Sequence, residues 1–240
     1  MISESTIQEL LKIKARYLKE CKICHGTGII PEKNDNKNWI NATTCDCIKK
    51  FKVVKKLYLA NISRPYWEST INDILAKQNR KKIRKYIDKI DYCIDNNINL
   101  IISGGSSVGK TLMLNIILKE LTLNKNIDCH YYSLDTLLDF TKMDQNEIDQ
   151  YKVVAIDNVG EEYKKEGSDF VVKNLALILK NRLRGNKLTI IASRYNIDRL
   201  HGVYNKEIYK ILKNNYMSIS VKDDIKNVSD IKHKIKNLLK

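Results

Sequence analysis

Short apolar runs and helical patterns alternate along the middle of the chain. Four runs have the length and residue types of buried strands, at residues 99–103, 128–132, 153–156 and 188–192. Amphipathic helical patterns follow the first run, at 112–121, and precede the last, at 171–183. Strands that alternate with helices indicate βαβ units. The fold class that we predict is therefore α/β, with a parallel sheet flanked by helices.

Three more amphipathic helices are predicted ahead of the first strand. A capping box at residues 5–8 opens the first, whose apolar stripe is Ile7, Leu10, Leu11, Tyr17 and Leu18. The second covers 48–60 and ends before Pro65, and its inward positions are Phe51, Val54 and Leu57. The third leads into the first strand on Ile83, Tyr86, Ile87, Ile90 and Ile94. We divide the chain into residues 1–60, a core at 61–220 and a basic tail or helix at 221–240.

The composition changes this picture through its charge. The chain has 43 Lys and Arg against 28 Asp and Glu, a formal charge of +15. Such an excess favours a partner with a phosphate backbone, although a coding bias toward lysine would produce the same excess. No apolar run approaches the roughly 20 residues of a membrane span, and the first residues do not resemble a signal peptide. We therefore expect a cytoplasmic protein without a membrane partner.

A complete phosphate-binding loop of the type G-x-x-x-x-G-K-[ST] lies between the first strand and its helix. It consists of Gly104, Gly105, Ser106, Ser107, Val108, Gly109, Lys110 and Thr111. Its glycines allow the backbone to turn N–H groups toward a phosphate, and the following helix begins at the anion. Lys110 reaches the β- and γ-phosphates, and the Thr111 hydroxyl binds Mg²⁺. The loop therefore predicts a site for ATP and Mg²⁺.

A carboxylate at the end of a later apolar run supplies the metal partner of this loop. Asp157 follows the run at 151–156. An Asp after a strand is usually a turn former, but beside an intact phosphate loop it has a second role. In P-loop NTPases such an Asp holds Mg²⁺ directly or through a water. We predict that Asp157 and Thr111 share the magnesium ion.

ATP hydrolysis also needs a residue that activates the attacking water, and the residues after Asp157 are unusual in this respect. Asn158 can position a water but cannot accept its proton, so Glu161 or Glu162 would have to do so. We therefore predict slow ATP hydrolysis. Ser193 and Arg194, after the last apolar run, are candidate sensors of the γ-phosphate or simply polar residues at a strand end. The candidate catalytic residues are Lys110, Asp157, Asn158, Glu161 and Arg194.

Four of the six cysteines form two close pairs near the N-terminus. The pairs are Cys21-x-x-Cys24 and Cys45-x-Cys47, and the stretch between them is polar and rich in turn residues, as in a loop tied at both ends. Zinc takes four tetrahedral ligands, and two turns that each present two sulfurs meet that geometry. We predict a structural zinc site on these four cysteines.

Other interpretations of the cysteines remain open. His25 could replace one thiolate, and the C-x-x-C pair could be a redox centre, although redox chemistry would leave the second pair unexplained. Cys93 and Cys129 lie in apolar patterns and are expected to be core thiols.

Together these motifs resemble those of the DnaC/DnaI-type helicase loaders, in particular phage-type members, within the AAA+ superfamily. In the N-terminal half the likeness lies in CKICHGTGII at 21–30, CDC at 45–47 and ANISRPYW at 60–67. In the core it lies in IDNVGE at 156–161 and TIIASRY at 189–195.

The resemblance implies an AAA+ ATPase core that forms homo-oligomers and binds single-stranded DNA. It also implies that residues 1–60 bind the replicative helicase, which the protein delivers to a replication origin or replication fork. Lys110 and Thr111 would then bind phosphate and Mg²⁺, and Asp157 would hold the metal. An ATP-dependent DNA replication protein that loads the helicase is the function that we predict.

Three departures from the family pattern affect single residues. The family often has Asn at the position of Arg194 and an acid at the position of Asn158. It also carries an arginine finger late in the core, whereas no arginine follows Arg199 here. The candidates for the finger are Lys210, Arg182, Arg184 and Arg194.

Other functions share parts of this pattern. A transposition-regulator-type AAA+ ATPase has the same core, but the cysteine pairs favour a loader. A small-molecule P-loop kinase would need a substrate pocket and an arginine-rich lid, which the sequence does not offer. A DNA-binding scaffold that is merely stabilised by nucleotide stays open because of Asn158. Tyr66 and Trp67 either stack on a base or pack where the N-terminal segment joins the core.

Overall fold

The computed structural model describes residues 4–33, 39–138, 145–161 and 168–221. Its contacts divide the chain into two compact units, Met1–Leu59 and Ala60–Lys240. None of the described helices is long and apolar enough to cross a membrane. Glu162 and, apart from Val221, the predicted basic tail lie outside the described residues.

The described part of the first unit contains two helices and an antiparallel pair of strands. Its elements are α1 (Glu4–Lys19), β1 (Ile29–Lys33), β2 (Trp39–Thr44) and α2 (Asp46–Leu59). Helix α1 packs against α2 and buries Leu10 and Ile13, whereas Ile7 and Leu11 of the predicted stripe stay 45% and 53% exposed. The antiparallel pair β1–β2 replaces the polar loop that we expected between the cysteine pairs. Such a pair satisfies its backbone groups without apolar alternation, so the hydrophobic pattern did not indicate it.

Helices and strands alternate through the second unit. A 3₁₀ turn at Arg64–Tyr66 precedes α3 (Lys77–Asp88) and α4 (Ile90–Asp95), which the sequence predicted as one helix but which are interrupted at Lys89. A second 3₁₀ turn lies at Ile71–Asp73. Among the described residues, the elements that follow α4 are β3 (Asn99–Gly104), α5 (Lys110–Asn124), β4 (Cys129–Ser133), α6 (Leu134–Leu138), α7 (Gln145–Asp149), β5 (Val153–Val159), α8 (Ser168–Arg184), β6 (Leu188–Ser193), α9 (Ile197–Leu200), α10 (Lys206–Asn215) and β7 (Tyr216–Val221).

The strands of the second unit form one sheet in the order β4-β5-β6-β3-β7, and every neighbouring pair is parallel. The four predicted strands correspond to β3, β4, β5 and β6, with boundaries shifted by at most three residues. The predicted α/β class with a parallel sheet and flanking helices is confirmed. All strands end at one edge of the sheet, where Ser103 of β3 pairs with Ser193 of β6, and Ser133 of β4 pairs with Asp157 of β5.

Strand β7 was not predicted from the sequence. It buries Tyr216, Ile219 and Val221, whereas Met217 and Ser218 are exposed, so it lacks the continuous apolar run of the central strands. Strand β3 shows that run clearly, because Leu100, Ile101 and Ile102 are fully buried. An edge strand of a parallel sheet is covered on fewer sides, and its pattern is weaker for that reason.

Candidate functional site

The phosphate loop leaves the carboxyl end of β3 and leads directly into α5. A Cβ added to Gly104 would lie 2.4 Å from the carbonyl oxygen of Val221 on β7, so only glycine fits at this strand end. Gly109 is at the N-cap position of α5 and has a φ of +89°, which glycine adopts without strain. Ser107 also has a positive φ, +62°. These backbone turns place the start of a fifteen-residue helix at the loop, where an anion is favoured.

Lys110 is almost completely buried although it carries a charge. Its Nζ donates hydrogen bonds to the carbonyl oxygens of Gly104 at 3.0 Å and Gly105 at 2.7 Å. An ammonium group has three donors, so one remains for a phosphate oxygen. The remaining loop residues, Ser106, Ser107 and Val108, are exposed or half-buried, and the loop is open to a ligand.

The loop meets the sheet through a hydrogen bond between Thr111 and Asp157. The Thr111 hydroxyl donates to Asp157 Oδ2 over 2.6 Å, and the Tyr131 hydroxyl donates to the same oxygen over 2.9 Å. The backbone N–H of Asn158 donates to the other carboxylate oxygen at 2.9 Å. Asp157 is only 1% exposed. The structure thus brings the two predicted magnesium residues together, with oxygen ligands of the kind that Mg²⁺ prefers.

Tyr131 is a residue of this site that sequence reasoning missed. It lies on β4, next to the strand that carries Asp157. Burial, followed by the negative charge of Asp157, raises the pKa of the Tyr131 hydroxyl well above its ordinary value. The hydroxyl therefore keeps its proton and stays a donor at neutral pH. A tyrosine in a β-strand is so common that its residue type alone gave no signal.

Strand β5 is irregular directly after Asp157, and Val159 pairs with Ser193 beyond the irregularity. Asn158 has a φ of +63° and is exposed, and the register between β5 and β6 shifts at this point. The N–H of Glu161 donates to the carbonyl oxygen of Asn158 at 3.2 Å, which closes a turn, and the Glu161 side chain is exposed. The N–H of Gly160 donates to the hydroxyl of Tyr204 at 2.8 Å. Both candidate water-positioning residues thus lie on one tight turn beside the magnesium residues.

The two sensor candidates at the end of β6 differ in their surroundings. Ser193 is fully buried, and its hydroxyl accepts a hydrogen bond from the N–H of Tyr195 at 3.0 Å. This contact is typical of a polar residue at a strand end, which was the alternative to a sensor role for Ser193. Arg194 is exposed at the same edge of the sheet as Asp157. Of the two, Arg194 is the side chain that is accessible to a ligand.

Arg182 is not suited to be an arginine finger, which corrects one of the sequence candidates. It is fully buried, and its guanidinium donates to Thr189 Oγ1 and to several carbonyl groups, at Ile148, Tyr151, Lys152 and Leu188. A side chain that is held in this way within its own subunit cannot reach a neighbour's nucleotide. Arg184, Arg194 and Lys210 are exposed and remain candidates.

The four predicted zinc ligands converge in the first unit. Their sulfur atoms all lie within 4.8 Å of one another, with Cys21 to Cys45 at 3.6 Å and Cys24 to Cys47 at 3.5 Å. Sulfurs at about 2.3 Å from a tetrahedral zinc are about 3.8 Å apart, so the cluster fits this ion with little adjustment. The Cys₄ cluster is compatible with the predicted zinc-binding module.

The backbone around the first cysteine pair supports this geometry. Gly26 and Gly28 have φ values of +91° and +76°, and the N–H of Gly28 donates to Cys24 Sγ at 3.2 Å. Burial favours the neutral thiol of Cys24, but this N–H and the neighbouring thiols outweigh it and lower its pKa to about 6. His25 is exposed and is not part of the cluster. The thiol of Cys129 is buried, which raises its pKa to about 12, as expected for a core residue.

Basic residues cover exposed faces of two helices. On α2 the exposed lysines are Lys49, Lys50, Lys52, Lys55 and Lys56, and on α3 the exposed basic residues are Lys77, Lys81, Lys82, Arg84 and Lys85. The aromatic residues that follow α2 are less accessible. Trp67 is half-buried, and its indole N–H donates to the carbonyl oxygen of Ile62 at 2.7 Å. Trp67 therefore packs within the second unit, as an aromatic residue with a structural role would.

No family model and no curated protein match this chain. Among solved structures, the crystal structure of the DnaC helicase loader is similar with a TM-score of 0.58 at 16% identity, over 67% of this chain and 100% of that one. The crystal structure of DnaI is similar with a TM-score of 0.55 at 19% identity, over 66% of this chain and 94% of that one. The replication initiator DnaA bound to AMPPCP and single-stranded DNA gives a TM-score of 0.54 at 14% identity, over 68% of this chain.

These similarities establish the fold. The match spans nearly all of the DnaI and DnaC chains but only 51% of the DnaA chain. The core of this chain has the same fold as the matched parts of these three proteins. The resemblance to DnaC/DnaI-type loaders that the motifs indicated is thereby confirmed at the level of the fold.

Proposed function

We propose that this chain is an ATP-dependent DNA replication protein that binds single-stranded DNA and loads the replicative helicase. The observation that carries the proposal is the 2.6 Å hydrogen bond from Thr111 to Asp157, which joins a complete phosphate loop to a buried carboxylate. The folds of DnaI, DnaC and DnaA support the replication context. The Cys₄ cluster ahead of the core supports the loader over the other AAA+ proteins that we considered.

The nucleotide site would bind ATP through the loop and Mg²⁺ through the adjoining residues. The backbone N–H groups of 104–109 and the ammonium of Lys110 would hold the phosphates. Thr111 and Asp157 would hold Mg²⁺, which neutralises phosphate charge as it develops during transfer. Asn158 cannot accept a proton, so Glu161 is the candidate base, and Arg194 is the candidate sensor. We expect steady-state turnover well below the roughly 10 s⁻¹ of ordinary enzymes.

The first unit would be stabilised by Zn²⁺ and would contact the helicase. Four thiolates close the coordination shell, so the ion would have a structural role rather than a catalytic one. All six cysteines are free, which agrees with a reducing cytoplasm. Assignment of residues 1–60 to helicase binding rests on the motif resemblance.

DNA binding and self-association complete the proposal. The exposed basic residues of α3 and the charge of +15 favour a phosphate backbone. An AAA+ core that acts on a ring helicase would work as a homo-oligomer, with Arg184, Arg194 or Lys210 reaching the nucleotide of a neighbour. A transposition-regulator-type ATPase and a nucleotide-stabilised DNA-binding scaffold are the alternatives.

Two measurements separate these functions. The first captures partners from the native host with tagged protein in the presence of ATP, and then tests any captured hexameric helicase for ATP-dependent loading onto circular single-stranded DNA. Recovery of a helicase that is loaded supports the proposal. Recovery of a transposase supports the regulator instead, and loading that does not depend on ATP supports the scaffold.

The second measurement tests the nucleotide site itself. Lys110→Ala removes the phosphate-binding ammonium, and we expect it to weaken ATP binding by about 100-fold, since a charge-assisted contact contributes about 1.5–3 kcal/mol. Lys125→Ala, at the exposed C-terminal end of α5, is the matched control and should bind ATP like the wild type. Full nucleotide binding and full loading activity by Lys110→Ala would contradict the assignment.

A further inference from the structure

The carboxylate of Asp157 has few acceptor positions left. Thr111 and Tyr131 both donate to Oδ2, at 2.6 and 2.9 Å, and the N–H of Asn158 donates to Oδ1 at 2.9 Å. An ionised carboxylate accepts about four hydrogen bonds, so about one position remains, on Oδ1. Two of the three donors hold Oδ2, and the carboxylate is therefore fixed in orientation before any metal arrives.

Thr111 and Tyr131 differ in what else they do. Thr111 belongs to the phosphate loop and would bind the metal itself, so its bond to Asp157 is part of the nucleotide site. Tyr131 lies on β4. In the described structure its hydroxyl donates a hydrogen bond to Asp157. A phenylalanine would fill the same space but would leave Oδ2 with one donor fewer. The hydroxyl of Tyr131 is thus the part of the site that can be removed without changing a metal ligand.

The backbone of Tyr131 is itself tied to the segment that follows α2. Its N–H donates to the carbonyl oxygen of Ala60 at 3.0 Å, and its carbonyl oxygen accepts from Asn61 Nδ2 at 2.8 Å. Ala60 is the first residue of the second unit and is 2% exposed. Asn61 has a φ of +55°, a conformation that asparagine tolerates better than most residues. The start of the second unit is therefore connected to Asp157 through a single residue.

We propose that Tyr131 is a positioning residue that orients Asp157 for Mg²⁺ and ties that carboxylate to the segment Ala60–Asn61. The inference rests on the proposed nucleotide function and adds to it a residue outside the phosphate loop. Donors that orient a metal-binding carboxylate typically change metal affinity or activity by 10- to 100-fold when they are removed. Because Tyr131 contacts both this segment and Asp157, displacement of the segment would alter the orientation of the carboxylate.

The main test compares Tyr131→Phe with Tyr132→Phe. Tyr132 is the neighbouring buried tyrosine, and its hydroxyl has no hydrogen-bond partner among the described residues, so its loss breaks no such bond. Binding of a fluorescent ATP analogue is measured in EDTA and across a Mg²⁺ titration. We expect Tyr131→Phe to raise the half-saturating Mg²⁺ concentration about 10-fold and to change affinity in EDTA by less than about twofold. Tyr132→Phe should change neither quantity.

A second variant tests the connection between Tyr131 and the segment Ala60–Asn61. Asn61→Gly removes the amide that holds the Tyr131 carbonyl, and glycine accepts the positive φ without strain. We expect a smaller change in the same direction, about threefold in half-saturating Mg²⁺, because the hydroxyl remains but its support is looser. If Asn61→Gly follows the wild-type curve while Tyr131→Phe does not, the tie to Ala60–Asn61 is overturned and the positioning role stands.

The outcomes distinguish this inference from the proposed function. A Tyr131→Phe titration that overlays the wild type overturns the inference and leaves the nucleotide site intact. An equal loss of affinity with and without Mg²⁺ also overturns it, because that result indicates a structural role alone. A wild-type protein that binds no nucleotide, or binds it without any dependence on Mg²⁺, overturns the proposed nucleotide function and this inference together.

Discussion

Replacing Arg182 by methionine should destabilise the core without touching the nucleotide site. The side chain is fully buried, and three of its hydrogen bonds are 3.0 Å or shorter, to Ile148 O, Leu188 O and Thr189 Oγ1. Hydrogen bonds to a charged group contribute about 1.5–3 kcal/mol each, so their loss amounts to about 5–9 kcal/mol. Methionine replaces the aliphatic part of the arginine side chain but has no hydrogen-bond donor.

The charge of Arg182 offsets part of that loss. Burial lowers the pKa of its guanidinium from 12.5 to about 10, and a change of this size corresponds to about 3 kcal/mol against the charged form. The guanidinium nevertheless stays charged at neutral pH. We therefore expect Arg182→Met to lower the free energy of unfolding by about 2–6 kcal/mol.

The assay is urea unfolding of the full chain with zinc present, followed by far-UV circular dichroism. Arg184→Met is the matched control, since Arg184 lies on the same helix but is exposed, and it should change the free energy of unfolding by less than about 0.5 kcal/mol. An Arg182→Met protein with wild-type stability would refute the reasoning. If that protein had also lost ATPase activity in the assembled state, Arg182 would again be a candidate for the arginine finger.

Two further predictions concern the cysteine cluster and the loop entrance. Freshly purified, reduced protein should contain one zinc ion per chain by atomic absorption. The Cys24→Ser variant should lose the ion and melt at a lower temperature, whereas the control Cys93→Ser should keep it. A wild-type protein without zinc would contradict the zinc site. Gly104→Ala should destabilise the core by more than about 2 kcal/mol, because its Cβ would lie 2.4 Å from Val221 O. Gly202→Ala, whose Cβ would meet its nearest neighbour at 3.5 Å, is the control in the same thermal unfolding assay, and equal stability of the two variants would contradict the steric argument.

The sequence predicted the central strands well because they are buried on both faces. Runs such as Leu100–Ile102 have no polar positions, and only a covered parallel strand explains them. It did not predict β7 or the antiparallel pair β1–β2, since both include many exposed or polar residues. The break at Lys89 between α3 and α4 also had no signal, because apolar spacing continues across it.

The candidate sites divide in the same way. The phosphate loop and the cysteine pairs could be recognised from spacing alone, because each depends on residues that are close in the chain. The sequence motifs predicted that Thr111 and Asp157 share a metal ion, but not the geometry of their contact, because the two residues are 46 positions apart in the chain. The finger candidates Arg182 and Arg194 could not be separated, because they are the same residue type and differ only in burial. The burial of Ser193, which separates it from Arg194 as a sensor candidate, had no signal in the sequence either.

The sequence by itself determined the parts that are local: the α/β alternation, the loop from Gly104 to Thr111 and the two cysteine pairs. Their physical basis is periodicity, backbone freedom at glycine and the ligand preference of metals, all of which act over a few residues. Only the tertiary structure decided that Tyr131 donates to Asp157 and that Arg182 is buried. Tyr131 meets Asp157 because β4 lies beside β5, and Arg182 is buried because its helix packs on the sheet. Both depend on long-range packing that no short stretch of the chain encodes.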